Sequence, residues 1–179
     1  TDSCDLVGLL GVRPAQTGGE SAVVSSTALY NEFLETRPDL LEPLYEGFYL
    51  DLVGKGTQDK QLKHHPIPVF SYFGGKLSCR YNKGQIEHGA QKMGDGLTAR
   101  QQDAVDYFRE LSMRPDLRLE MEFRKGDIQI LNNRTTLHSR TAFTDHLDID
   151  QRRLLLRLWL NSFTPRPMHP TPVSYTHLT

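Results

Sequence analysis

The segment 153–160, Arg-Leu-Leu-Leu-Arg-Leu-Trp-Leu, constrains this chain more than any other stretch. Side chains alternate between the two faces of a strand. Leu154, Leu156, Leu158 and Leu160 therefore share one face, and Arg153, Leu155, Arg157 and Trp159 share the other. So apolar a run belongs in a sheet. Two arginines on one of its faces leave two readings open. One is an edge strand whose arginines are solvated. The other is a barrel mouth whose guanidinium groups grip a carboxylate, a role that suits their planar, bidentate fork.

The same period of two recurs over 117–124, where Leu117, Leu119, Met121 and Phe123 alternate with Arg118, Glu120, Glu122 and Arg124. That pattern predicts a strand with one dry and one wet face. Lys125-Gly126 turns the chain into a further strand at 127–131. Short apolar runs predict strands at 5–12 and 21–24, with a turn over 17–20 between them. Residues 68–73 and 76–81, on either side of Gly74-Gly75, predict a hairpin. Helices are expected from Ser25-Ser26-Thr27 to Leu34, from Pro38 onward, and over 98–112. In the last of these Thr98 caps the helix, and Ala104, Tyr107, Phe108 and Leu111 share a face. Many short strands and few helices predict a mainly β fold with flanking helices, a sandwich or open barrel.

Composition narrows the function. The chain has 179 residues, with 21 Lys+Arg against 22 Asp+Glu and a formal charge of −1. That balance argues against a nucleic-acid partner and against a polybasic membrane anchor. No apolar run approaches the ~18 residues that span a bilayer. Hydrophobic residues make up 37%, enough for a core. The two cysteines, Cys4 and Cys79, are too few for a disulfide scaffold. A cytoplasmic enzyme acting on a small molecule is the class that fits.

Several polar residues are candidates for chemistry. His138 lies among Asn, Thr, Ser and Arg, a more hydrogen-bonded setting than a core, after the strand at 127–131. The other histidines make no zinc-type spacing with a cysteine pair. His64-His65 reads as a surface pair, although His64, His65 or His88 could form a different metal site. On a strand, Asp2 shares a face with Cys4 and Leu6, which costs free energy unless the acid is paired or coordinated. Cys4 itself reads as a small buried hydrophobe. Arg80 and Asn82, at the end of the hairpin, read as structural or surface groups.

Residues 132–143, Asn-Asn-Arg-Thr-Thr-Leu-His-Ser-Arg-Thr-Ala-Phe, are followed at 151–160 by Gln-Arg-Arg-Leu-Leu-Leu-Arg-Leu-Trp-Leu. Together they resemble the C-terminal signature of the taurine dioxygenase/TfdA-like family of Fe(II)- and 2-oxoglutarate-dependent oxygenases, relatives of gamma-butyrobetaine hydroxylase. Residues 17–21, Thr-Gly-Gly-Glu-Ser, resemble that family's Gly-Gly-Asp/Glu-Thr/Ser turn. Thr1-Asp2 resembles the last two residues of its His-Thr-Asp triplet, so the first His would stand just before residue 1. The resemblance runs over residues 1–165. It implies a double-stranded β-helix (a jelly roll, clavaminate synthase-like) that is incomplete at its N-terminus.

The resemblance also implies roles. Asp2 would be the carboxylate ligand of Fe(2+) and His138 the distal histidine. Two imidazoles and one carboxylate leave three metal positions open, the arrangement of non-haem oxygenases. Arg153 would bind the far carboxylate of 2-oxoglutarate, with Ser21 as a hydroxyl partner. Arg153 is preferred to Arg152 because it shares a strand face with Arg157. Arg157 would meet the cosubstrate or an anionic group of the substrate. Asn133 and Arg140 would hold the loop of the distal histidine. With O2, the implied reaction hydroxylates a small organic substrate and releases succinate and CO2. The carboxylate of Asp2 favours hydroxylation over halogenation.

The expected organisation is the C-terminal part of an oxygenase domain over 1–163 and a proline-rich extended tail over 164–172. Residues 173–179 resemble translated sequencing-adapter read-through. The competing reading is a non-catalytic jelly-roll or cupin-like module that binds a small molecule.

Overall fold

The computed structural model describes residues 4–51 and 65–168. The chain opens with strands β1 (Leu6–Arg13), β2 (Thr17–Gly18) and β3 (Ser21–Ser25), then helices α1 (Ser26–Thr36) and α2 (Leu41–Glu46). A hairpin follows, β4 (Phe70–Phe73) and β5 (Lys76–Cys79), with helices α3 (Lys83–Met93) and α4 (Ala99–Met113) behind it. The last third is β6 (Arg118–Met121), β7 (Ile128–Asn132), β8 (Thr136–Arg140), β9 (Phe143–Thr144) and β10 (Leu154–Leu160).

The long strands form two antiparallel sheets ordered β10-β1-β7 and β6-β3-β8, with β2 and β9 paired as a small ribbon. The chain crosses from one sheet to the other between β1 and β3, β6 and β7, β7 and β8, and β8 and β10. Such repeated crossing makes a jelly roll. Ser21 bridges the sheets, its hydroxyl lying 3.4 Å from Gln129 Oε1 on β7.

One face of the β6-β3-β8 sheet packs on the helices. Val24 and Leu137, adjacent in register, join a core with Leu29, Phe33, Phe70 and Phe108. Phe33, Phe70 and Phe108 are fully buried, and Tyr81 stacks on Phe108 at 4.0 Å between ring centroids. The expected helices are present and capped as the sequence predicts. Ser25 accepts from Ala28 N, and Thr98 forms a capping box with Gln101. Among the described residues no helix is long and apolar enough to cross a membrane.

Helix α3 is a correction to the sequence reading, which places none there. Its buried side is only Ile86, Gly89 and Ala90, too narrow a stripe to register as periodic. Small residues serve because the helix lies directly on backbone. A Cβ on Gly89 would stand 2.0 Å from the Tyr49 carbonyl oxygen.

The second correction concerns which face of a strand is dry. On β10, whose dry face the sequence leaves open, Leu156, Leu158 and Leu160 are 51%, 64% and 44% exposed. Leu10 pairs with Leu156 and Ile128, and Gly8 with Leu158 and Ile130, so these side chains share the outer face of the sheet. On the opposite face Arg153, Leu155 and Arg157 line a cavity toward the other sheet, while Trp159 is 60% exposed. On β6, likewise, Leu119 is exposed while the Arg118 side chain is buried beside Glu120, its guanidinium 2.7 Å from that carboxylate.

Candidate anion and metal site between the sheets

The inward faces enclose a cavity of about 460 Å³. Leu9, Leu155 and Arg157 line it from one sheet, Ser21, His138, Ser139 and Arg140 from the other, and Arg153 at the foot of β10. Register explains the gathering. Arg140 stands opposite Ser21, and His138 opposite Val23, while Leu9 stands opposite Arg157. In antiparallel pairs such partners project to the same side. His138 therefore sits within β8, not after a strand, and the sheet fixes the direction of its side chain.

Two of the cations share one aromatic ring. The guanidinium carbon of Arg140 lies 4.4 Å from the centroid of Phe143, and that of Arg153 lies 5.3 Å from it. Arg153 is anchored by its backbone N, which donates to Asp145 Oδ1 at 2.6 Å. Burial lowers the pKa of the Arg153 guanidinium, the Arg140 charge lowers it further, and Asp145 opposes both. Among the described residues that line the cavity there is no carboxylate. Guanidinium groups of this kind pair well with carboxylate oxygens.

The sequence-predicted residues divide as follows. His138, Ser21, Arg153, Arg157 and Arg140 converge on the cavity. Asn133 does not line it. It is buried in the turn before β8, donates from Nδ2 to the Cys4 carbonyl at 2.9 Å, and bonds Asp5 O through its backbone N at 2.8 Å. It thereby ties β8 to the start of β1. Asp2 and His64 lie outside the described residues, as do 169–179 of the expected tail and read-through. His88 is exposed on α3, and among the described residues no three His, Cys, Asp or Glu side chains stand close enough to hold a metal. Asn82 caps α3, accepting from Gln85 N at 3.1 Å.

Sequence reasoning missed Gln129, Phe143, Thr141 and Glu20. Gln129 had a usable signal: it is the one polar residue between Ile128 and Ile130, so period two turns it to the opposite face. Its amide reaches Met121 Sδ at 3.0 Å and Ser21 Oγ at 3.4 Å.

The structure is thus that of a jelly-roll β protein whose inter-sheet cavity is lined by three arginines and a histidine. The chain belongs, more narrowly, to the family described as "Taurine catabolism dioxygenase TauD, TfdA family", whose model matches residues 1–159. It is 34% identical over 180 residues to the FR-33289 synthase of Streptomyces rubellomurinus, covering 99% of this chain and 52% of that protein. It is 34% identical over 162 residues to the taurine hydroxylase-like protein SAT17 of Stachybotrys chartarum, covering 88% of this chain and 40% of that protein. The chain thus spans about half the length of the curated relatives it matches. Among solved structures it resembles an asparagine oxygenase in complex with Fe(II), 2S,3S-3-hydroxyasparagine and succinate. The TM-score is 0.69 at 18% identity, over 88% of this chain and 46% of that one. The non-heme iron oxygenase OrfP in complex with Fe and alpha-ketoglutaric acid gives a TM-score of 0.58 at 15% identity, over 88% and 45%. Both likenesses support the jelly-roll fold.

Proposed function

We propose that residues 1–163 form part of an Fe(II)- and 2-oxoglutarate-dependent oxygenase that hydroxylates a small organic molecule with release of succinate and CO2. The observation that carries this reading is the convergence of Arg153, Arg157, Arg140, Ser21 and His138 on one inter-sheet cavity. A dicarboxylate fits that donor set, because a guanidinium fork and a hydroxyl recognise carboxylate oxygens directly. Membership of the family and the ligands of the two oxygenase structures support the same choice.

Arg153 would hold the distal carboxylate, its partial burial strengthening the attraction for an anion over that of a solvated arginine. Ser21 would donate its hydroxyl proton to the same group. His138 and Asp2 would be two of the ligands of Fe(II), a metal that suits imidazole and carboxylate donors. Arg157 would orient the cosubstrate or an anionic group of the substrate. Bound together, the metal and 2-oxoglutarate supply the oxidative decarboxylation that drives hydroxylation; the chain supplies binding and orientation.

The test uses the full-length protein. Succinate formation is measured against 2-oxoglutarate concentration at saturating Fe(II). Arg153→Leu is expected to raise the half-saturating concentration by about tenfold or more, the loss of a charge-assisted bidentate contact. An unchanged requirement would move the clamp to Arg152 or Arg157.

A further inference from the structure

The Gly18-Gly19-Glu20 turn that leads into β3 is held by a side chain outside it. The Thr141 hydroxyl, between β8 and β9, donates to the Glu20 carboxylate and accepts from Gly19 N at 3.1 Å and Glu20 N at 3.0 Å. Its one proton and both lone pairs are thus engaged. Backbone bonds reinforce the tie: Thr141 N donates to Glu20 O at 3.0 Å, and Gly19 N to Ala142 O at 3.1 Å. The Thr141 hydroxyl is also the largest cause holding the Glu20 carboxyl below the usual carboxylate range.

The tie bears on Arg153. Gly19 has φ +82°, and a Cβ built on it would stand 3.2 Å from Arg153 Nε and 3.4 Å from Phe143 Cβ. The neighbouring Gly18, at φ +72°, packs so tightly that a Cβ would lie 2.4 Å from the Ala142 carbonyl oxygen. The Arg153 side chain therefore rests in a slot walled by the bare backbone of Gly19 and by Phe143, whose ring centroid lies 5.3 Å from its guanidinium carbon. Moving the turn moves one wall of that slot.

We propose that Thr141 is a positioning residue: through Glu20 and Gly19 it fixes the Arg153 guanidinium for a carboxylate ligand and so sets the affinity for 2-oxoglutarate. The inference rests on Arg153 being the cosubstrate clamp. Valine at 141 removes all three hydroxyl bonds at nearly constant shape, whereas serine keeps them.

The experiment measures 2-oxoglutarate binding by calorimetry under argon, on the full-length protein loaded with Fe(II), together with Fe(II) affinity. Thr141→Val is expected to weaken 2-oxoglutarate binding about tenfold, on the scale that misplacement of a binding group costs, with Fe(II) affinity retained. Thr141→Ser is expected to restore binding. Gly19→Ala, which leaves Thr141 intact, is expected to weaken it as well, and it carries the test alone if Thr141→Val does not fold. Binding that Thr141→Val or Gly19→Ala leaves unchanged, while Arg153→Leu weakens it, overturns the positioning role. So does a serine variant as weak as the valine one. Arg153→Leu without effect overturns instead the clamp on which the inference rests.

Discussion

Replacing Asn133 by aspartate changes one NH2 group into an oxygen and little else. In the native protein that NH2 donates to the Cys4 carbonyl at 2.9 Å, and Asn133 is 1% exposed. The aspartate presents an acceptor to an acceptor, out of reach of water. A buried acceptor that loses its donor costs about 1–3 kcal/mol, and the new charge adds a desolvation cost of its own. Asn133→Ala removes the same bond without the charge, and is expected to cost about 2 kcal/mol, roughly a thirtyfold shift in the folding equilibrium. Asn133→Asp is expected to cost more than Asn133→Ala at neutral pH. Urea unfolding followed by far-ultraviolet circular dichroism gives both values. Two variants within about 0.5 kcal/mol of the parent, the range of ordinary surface substitutions, would refute the reasoning. On the proposed assignment of Asp2, two residues before Cys4, as a ligand of Fe(II), the aspartate variant is also expected to weaken Fe(II) binding.

Three further outcomes are expected from the fold. Phe108→Ala opens the aromatic core against which Phe33, Phe70 and Tyr81 pack, and should cost about 3–5 kcal/mol in the same unfolding assay. Gly89→Ala should destabilise by about 2 kcal/mol or more despite the ~1 kcal/mol by which alanine favours a helix, because its Cβ would meet Tyr49 O at 2.0 Å. Stability should fall as pH rises above 9: burial pushes the Cys79 thiol from 9.0 up to about 12, and burial raises the Tyr81 phenol too. The unfolded chain then gives up protons that the folded one keeps, which favours unfolding. Urea midpoints at about pH 8 and pH 10.5 check this, and a drop that Cys79→Ala does not reduce would rule out the thiol's share.

Local signals are legible wherever one residue's chemistry decides the outcome. Ser25 and Thr98 start helices because a hydroxyl satisfies an otherwise unpaired backbone N–H. The alternation over 153–160 specifies a strand, and its period of two alone puts Arg153 and Arg157 on one face. Helix α3 is not legible, because Gly89 and Ala90 pack through their smallness and leave no apolar stripe. Asn133 reads in sequence as a neighbour of His138; only the fold reveals that its amide is spent on Cys4. Thr141 and Glu20 lie 121 positions apart, a pairing that no local pattern encodes.

Which face of β10 lines the cavity is a tertiary property, and the sequence alone leaves both readings open. Leu158 on one face and Trp159 on the other are 64% and 60% exposed, and Arg153, Leu155 and Arg157 line the cavity. A charged group turned inward incurs a desolvation cost, and the lowered pKa of Arg153 records it. Stability gives no reason to place Arg140 and Arg153 on one ring beside Arg157. An anion does, since its binding offsets both the desolvation and the mutual repulsion. Sequences depart from local rules chiefly where function requires it. On the proposed function, the clustered arginines predict that a dicarboxylate should stabilise the protein against heat. A melting temperature indifferent to 2-oxoglutarate, in the full-length protein with Fe(II) under argon, would refute this.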